Sequence, residues 1–277
     1  MPQNLQDNNN QHNAPIKLHI GHKVEEENTK ESMLKNGIRQ VVASFVILVF
    51  LFLLMNSSAY YQISKAKIQQ FIGTDTQSPL EVLIDPVLNN TQSPLETNID
   101  QGFQYQQIPK LDLEISPITD RIVIPRINQN VPIIQVSSQN LINRDWKALE
   151  KDIQDALKVG VVHYPGTSLP GDDGNVVITG HSSYFPWDPG RFKDVFALLH
   201  DVELGDKILI YSNQKKYIYE VIDIQIVKPN NIEVLKQTPS EQLTLITCTP
   251  VGTNLKRLIV IAKPVVETIN ETDKVLR

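Results

Sequence analysis

LTLITCTPVGTNLKRLIVIA, residues 243–262, reads as two short strands with a loop between them. Leu243, Leu245 and Thr247 alternate with Thr244, Ile246 and Cys248, which is the period of a strand. Leu258 and Val260 alternate with Arg257 and Ile259 in the same way. The eight residues TPVGTNLK between Cys248 and Arg257 carry proline, glycine and asparagine, so the chain turns back and the two runs pair antiparallel. Setting Cys248 opposite Arg257 puts Thr247 opposite Leu258, Ile246 opposite Ile259 and Leu245 opposite Val260. In that register Leu243, Leu245, Thr247, Leu258 and Val260 share one face, and Cys248 and Arg257 share the other.

Cys248 is the only cysteine in 277 residues. Directly opposed residues on paired strands have Cβ atoms about 5 Å apart, so this register brings a guanidinium to the thiol. A nearby cation favours the nucleophilic thiolate, and a guanidinium can also hold a carbonyl oxygen or a developing oxyanion. Spacing alone favours the plainer alternative, a small buried cysteine at a strand end beside a solvated arginine. A cysteine nucleophile also needs a proton donor for its leaving group, most often histidine. Three of the six histidines, His163, His181 and His200, lie outside the N-terminal tail. Position ranks His181 first, because it ends the strand-like NVVITGH after Gly180. His163 comes before a proline turn in VVHYPGT. His200 follows a helical stretch, where a cation is ordinary.

The residues leading to this pair read as further short strands. RIVIPRI (121–127) and VPIIQVS (131–137) flank a turn at 128–130, and NVVIT (175–179) is a buried-looking strand entered through PGDDGN. GDKILIYS and KKYIYEVIDIQIV form a hairpin turning at 212–214. Residues 146–159 have helical spacing with Leu149, Ile153, Ala156 and Leu157 on one side, and 194–199 read as a short helix. Residues 234–237 and 240–242 are short or loop. Seven or eight short strands with little helix suggest a mainly β fold, a closed barrel or a sandwich.

Ahead of this domain lies VVASFVILVFLFLLM, residues 41–55. The uncharged window around it, 41–60, spans roughly 30 Å as a helix, the thickness of a hydrocarbon core. Tyr60 and Tyr61 sit where an interfacial aromatic belt belongs, so a transmembrane anchor is expected over 41–61. A cleaved signal peptide is the rival, with Ser57-Ser58-Ala59 as its cleavage site. About forty polar residues precede the apolar run, too many for a usual signal peptide. Lys30, Lys35 and Arg39 before the span against Lys65 and Lys67 after it set the N-terminus in the cytoplasm and the large domain outside. A lone cysteine outside the cell has no intramolecular disulfide partner, so it is either inert or a working thiol.

Residues 1–40, rich in Asn, Gln, Lys and Glu, are expected to be a disordered cytoplasmic tail. His19 and His22 within it read as solvated side chains rather than a metal pair. Residues 62–115 are polar and proline-bearing. They repeat TQSPLEVLID (76–85) as TQSPLETNID (91–100), and read as a flexible spacer. Net charge is −5 with no basic patch, which argues against a nucleic-acid partner. No acidic cluster is clear enough for a calcium site, and no metal or cofactor is expected.

TLITCTP followed by Gly252, Asn254 and Arg257 resembles the TLxTC signature of sortases with its downstream arginine. VVHYPGTSLPGDDGNVVITGHS resembles the sortase segment that leads to the catalytic histidine, and FALLHDVELGDKILIY the stretch that follows. The likeness covers about residues 116–266 in order. The resemblance implies an eight-stranded β-barrel over 116–266, followed by a tail at 267–277. It also implies a His–Cys–Arg site of His181, Cys248 and Arg257, with Thr247 shaping the substrate groove. His163 then falls in the upstream segment. The implied activity is that of a membrane-anchored cysteine transpeptidase that cleaves an LPxTG-like sorting motif. Its partners would be surface-protein substrates and an amine of a cell-wall precursor or a pilin lysine. A thiol peptidase using water, or a non-catalytic peptide-binding module, are the alternatives. A papain-like enzyme is disfavoured, since its cysteine precedes its histidine. Residues 182–193, SSYFPWDPGRFK, depart from the family pattern, being longer and more aromatic than expected. They read as a surface loop, with a lid or substrate wall as the alternative.

Overall fold

In a computed structural model of the chain, residues 20–72, 80 and 116–265 are described. The chain divides into two compact units between Leu51 and Phe52. Helix α1 runs over Ile20–Met55, and its stretch Ser32–Met55 is 24 residues long and apolar enough to cross a membrane. None of that stretch is buried in the protein. At 1.5 Å per residue it is about 36 Å long.

Two boundaries differ from the sequence reading. The helix begins at Ile20, inside the tail expected to be without structure up to residue 40. Glu, Lys, Leu and Met of this segment are strong helix formers, and extending an existing helix avoids the nucleation cost. The helix that carries most of the apolar run, expected as an anchor over 41–61, stops at Met55, and a second helix, α2 (Ser57–Ile72), takes Ser57–Tyr61 and eleven residues of the expected spacer. The Asn56 side-chain amide donates to the Phe52 carbonyl at 2.9 Å, and Asn and Ser side chains compete in this way with helical bonding. Ala59 is fully buried, and Ile63 and Ala66 pack on the core of the second unit. The TQSPLE segments, Leu80 apart, and residues 267–277 lie outside the described residues.

The second unit is a closed eight-stranded barrel. Its strands are β1 (Arg121–Ile124), β2 (Gln129–Gln135), β3 (Val161–His163), β4 (Asn175–Thr179), β5 (Lys207–Ser212), β6 (Lys215–Val227), β7 (Gln242–Thr249) and β8 (Lys256–Pro264). They are ordered β1-β2-β3-β4-β7-β8-β6-β5 around the barrel. Two neighbouring pairs, β2–β3 and β4–β7, are parallel, and the others are antiparallel. The fold is thus mainly β, with short helices. The β5–β6 hairpin turns through Asn213 and Gln214, both at positive φ.

Alternate residues fill the interior. Ile122, Ile124, Val161, Val176, Ile178, Ile208, Ile210, Tyr219, Val221, Leu243, Leu245, Leu258 and Val260 belong to one buried cluster. Outside it, α3 (Gln139–Ile142) and α4 (Trp146–Leu157) follow β2. Helix α4 opens at Asp145, whose carboxylate accepts from the Ala148 amide, a side-chain cap of the helix start. Its buried residues are Leu149, Ile153, Ala156 and Leu157, the side expected from their spacing, and they pack with Val162 of β3. The short helix expected at 194–199 is a run of turns ending in a single 3-10 turn, Leu199–Asp201. Closing the barrel removes the unpaired edges that an open sheet would expose.

Candidate active site

The register of the last two strands is the one expected from their alternation. Cys248 pairs with Arg257, Thr247 with Leu258 and Leu245 with Val260. The interior cluster takes Leu243, Leu245, Leu258 and Val260, so Cys248 and Arg257 fall on the outer face.

On the other side of β7 lies β4, parallel to it, with Ile178 opposite Leu245 and Thr179 opposite Ile246. The Gly180 amide continues the ladder to the Ile246 carbonyl at 3.1 Å. Carrying the register two positions on sets His181 beside Cys248. The outer face therefore presents Cys248 and Arg257 side by side on β7 and β8, and His181, two residues past the end of β4, extends them to a row when this register is continued. Neighbouring strands are about 4.8 Å apart, so Arg257 is one strand from the thiol. Cys248 is free and half-buried.

Two residues hold the end of β4 to β7. Thr247, 3% exposed, donates its hydroxyl to the Gly180 carbonyl at 2.8 Å. Gly180 faces inward, where a Cβ would stand 2.6 Å from the Phe196 ring. The Thr247 hydroxyl is thus spent beneath the row. The resemblance implies that this residue shapes the substrate groove; in the barrel its alternation with Leu245 turns its side chain inward.

His181 is half-buried, and burial lowers its pKa from the ordinary histidine value, with Asp188 opposing the shift. Its ring stacks on Tyr184 at 4.5 Å between centroids and 25° between planes. The stack continues outward, Tyr184 edge-on to Phe185 and Phe185 face-on to Trp187. These aromatics belong to residues 182–193, the segment longer than expected. Ser183 of the same segment accepts from the Gly252 amide at 2.9 Å, which ties it to the β7–β8 loop. The hydroxyl of Ser182 is buried with no hydrogen-bond partner.

The Arg257 guanidinium donates through Nη1 to the carbonyls of Asn254 and Lys256, at 3.1 and 3.2 Å. It curls over its own loop, and its remaining donors lie outside those two bonds. Asn254 and Gly252, noted in the sequence, thus shape this loop. Gly252 takes φ +87°, a left-handed value that favours glycine.

The other two histidines are elsewhere. His163 pairs with Ile178 across β3–β4, which turns it to the inner face. It is 5% exposed and donates Nε2–H to the Ser168 carbonyl at 2.8 Å, so that bond fixes its tautomer. Burial lowers its pKa as well. His200 lies exposed in the Leu199–Asp201 turn, with Nε2 3.3 Å from Asp201. A groove of about 710 Å³ runs along α2, lined in part by Ser58, Tyr61, Lys65, Asp194 and Leu198. It includes none of the three residues of the row, so the alignment of chemical groups marks the site, rather than concavity. Among the described residues no group of three or more His, Cys, Asp or Glu could hold a metal ion.

The chain resembles several characterised proteins. It is 24% identical over 155 residues to Sortase A of Bacillus anthracis, covering 56% of this chain and 63% of that one. It is 27% identical over 146 residues to Sortase D of Bacillus subtilis strain 168, covering 51% and 61%. The chain therefore spans about three fifths of the length of these curated relatives. Among solved structures it is 31% identical to Sortase A from Corynebacterium diphtheriae, over 57% of this chain and 66% of that one, with a TM-score of 0.44. The sortase domain model matches residues 122–265, from the second residue of β1 to just past β8. A match that takes in every strand of the barrel and just over half of the chain settles its descent: the protein belongs to the sortase family.

Proposed function

We propose that the chain is a membrane-anchored cysteine transpeptidase, and the row His181–Cys248–Arg257 is the observation that carries this reading. Cys248 is the nucleophile. His181 takes the proton of the Cys248 thiol as the sulfur attacks a backbone carbonyl of an LPxTG-like sorting motif, and the C–O π electrons move onto oxygen. Arg257 turns a donor toward that oxyanion. The oxyanion collapses, the C–N bond breaks and His181 gives its proton to the departing amine. A thioester on Cys248 remains. An incoming amine, from a cell-wall precursor or a pilin lysine, loses a proton to His181 and attacks the thioester. The thiolate leaves and a new amide is formed. Thr247 serves the site indirectly, by locking the Gly180 carbonyl and so the strand end that carries His181.

The stretch Ser32–Met55 supports the anchor, and Lys30, Lys35 and Arg39 ahead of its uncharged part, against Lys65 and Lys67 beyond it, support a cytoplasmic N-terminus with the barrel outside. An engineered cysteine in residues 81–115 on intact cells should react with a membrane-impermeant thiol reagent; protection of that site would reverse the orientation.

The decisive test incubates the full chain in detergent with LPxTG-type peptides and candidate amines and reads products by mass spectrometry. Cleaved peptide joined to amine is expected, and lost in Cys248→Ala. Free acid alone would make the chain a thiol peptidase. Binding without cleavage would make it a peptide-binding module. Activity surviving in Cys248→Ala would end the cysteine mechanism.

A further inference from the structure

We infer that Tyr184 is a positioning residue for His181, holding the imidazole in the plane from which it exchanges protons with the thiol and the amines. The inference rests on the reading of His181 as the acid–base group of the row.

The chain between His181 and Phe196 is longer than a simple link needs, and it is tied at several points. At its start the Phe196 amide donates to the His181 carbonyl at 2.9 Å, closing the loop on itself. Ser183 Oγ holds the Gly252 amide of the neighbouring β7–β8 loop. Further out, the Asp188 amide donates to the Phe185 carbonyl, and Lys193 Nζ to the Pro186 carbonyl at 2.8 Å. At the far side the Arg191 amide donates to the Lys158 carbonyl at 2.9 Å, just past α4. This bonding gives the aromatic residues a fixed backbone.

On that backbone Tyr184 lies nearly parallel to the His181 ring. Phe185 meets Tyr184 edge-on at 5.4 Å, and Trp187 stacks on Phe185 at 5.0 Å and 14°. Offset stacking of this kind fixes ring orientation and shields one imidazole face. His181 lies two residues past the last residue of β4, so its backbone has left the regular ladder, and χ2 of an imidazole is broad. Among the described residues neither ring nitrogen of His181 has a hydrogen-bond partner, unlike His163, whose Nε2 is bonded to Ser168. The aromatic stack thus does for His181 what a hydrogen-bonding carboxylate does in other nucleophile–histidine sites. A polar orienter would raise the imidazole's affinity for a proton. A stacked phenol excludes water, and the direction of the His181 shift, downward by burial, agrees. The charged and titratable groups that act on the ring are Asp188 and the stacked Tyr184, both of the same loop.

The test uses the full chain in detergent with Tyr184→Ala and Tyr184→Phe, beside Cys248→Ala and His181→Ala. An LPxTG-type peptide and diglycine are the probes. Tyr184→Ala should lower kcat ~10-fold at nearly unchanged KM, since loss of orientation acts on the reacting geometry more than on peptide binding. Tyr184→Phe keeps the stack and should keep the rate. NMR of ¹³C-labelled histidine supplies a readout independent of turnover, with the His181 signal assigned by its loss in His181→Ala. Its titration midpoint should rise in Tyr184→Ala and stay native in Tyr184→Phe. An unmoved midpoint in Tyr184→Ala overturns the inference, as does native kcat in that variant when Cys248→Ala and His181→Ala are inactive. Equal damage in Phe and Ala also overturns it, because the hydroxyl and not the stack would then matter. Turnover surviving in Cys248→Ala or His181→Ala would instead remove the reading beneath it, and the NMR midpoints would still report whether Tyr184 holds the ring.

Discussion

Arg257 stands opposite Cys248 but spends one nitrogen on the carbonyls of Asn254 and Lys256. The contribution of its planar fork is therefore separable from that of its charge. Arg257→Lys keeps the charge and loses the fork. Lys should be nearly as damaged as Arg257→Ala in kcat/KM, each falling ~10²–10³-fold, the cost of a lost oxyanion donor. A Lys variant close to the native rate would show that charge alone serves the thiolate. The two histidines divide similarly. His181→Ala should lose ~10²-fold or more in rate with its melting temperature nearly intact. His163→Ala should mainly lose stability, by about 1–3 kcal/mol, since it leaves the Ser168 carbonyl without its donor in a buried place. The reverse ranking, measured by steady-state kinetics and melting, would exchange their roles. The pairing of Cys248 with Arg257 was legible in the sequence because strand alternation assigns faces without coordinates. The end point of the Arg257 fork and the hydroxyl bond of Thr247 were not. A loop turn decides the first, and the approach of β4, sixty-odd residues earlier in the chain, decides the second.

At the scale of elements, helix α2 is what the sequence concealed. Its residues looked like the end of a membrane span followed by polar spacer, because SSAYYQISKAKIQQFI has only a narrow apolar side. That side, with Ala59, Ile63 and Ala66, is enough to cover part of the barrel core. Ser58 adds a hydrogen bond to the Asp194 carboxylate, and the Tyr60 hydroxyl reaches the Val251 carbonyl at 3.5 Å. Val251 lies in the loop between Cys248 and Arg257, so α2 touches the segment that sets the row. Ala59→Arg would force a cation into a fully buried position or lift the helix away. The full chain in detergent should then melt several degrees lower, since 1 kcal/mol is worth about 2–4 °C in a domain of this size. Protease cleavage within 57–72 should quicken. An unchanged melting temperature and cleavage rate would show that α2 does not depend on this contact. By contrast, α4 was legible to within two residues at its end, because its four buried residues repeat at helical spacing.

For the molecule as a whole, the sequence led to strands and a barrel or sandwich, but not to the strand order. β4 lies between β3 and β7, and its parallel pairing with β7 joins segments more than sixty residues apart. Local pattern carries no information about such a pairing; the resemblance of three separated motifs implied the eight-stranded barrel but not the order of its strands. Closure has a consequence for acid stability. His163 and His181 are both held below the ordinary histidine value of 6.5, burial being the main cause for each. In the unfolded chain both regain that ordinary value. Above about pH 6.5 neither state is protonated and the full stability is present. As pH falls below it, the unfolded chain binds protons that the folded barrel refuses, so stability declines, until the folded-state values are reached. While both rings stay neutral in the fold, the slope from these two groups approaches roughly 2.7 kcal/mol per pH unit, or 1.36 for each. Backbone bonding to Ser168 and the charges of Asp120 and Asp188 act in the opposite sense and shorten the window. Urea unfolding between pH 5 and 7.5, followed through Trp146 and Trp187, should show the midpoint falling with acid. In His181→Ala the descent should be shallower by up to one proton's worth. A midpoint that is level across this range, or a slope that His181→Ala leaves unchanged, would mean that the imidazole beside Cys248 is not held neutral by the fold.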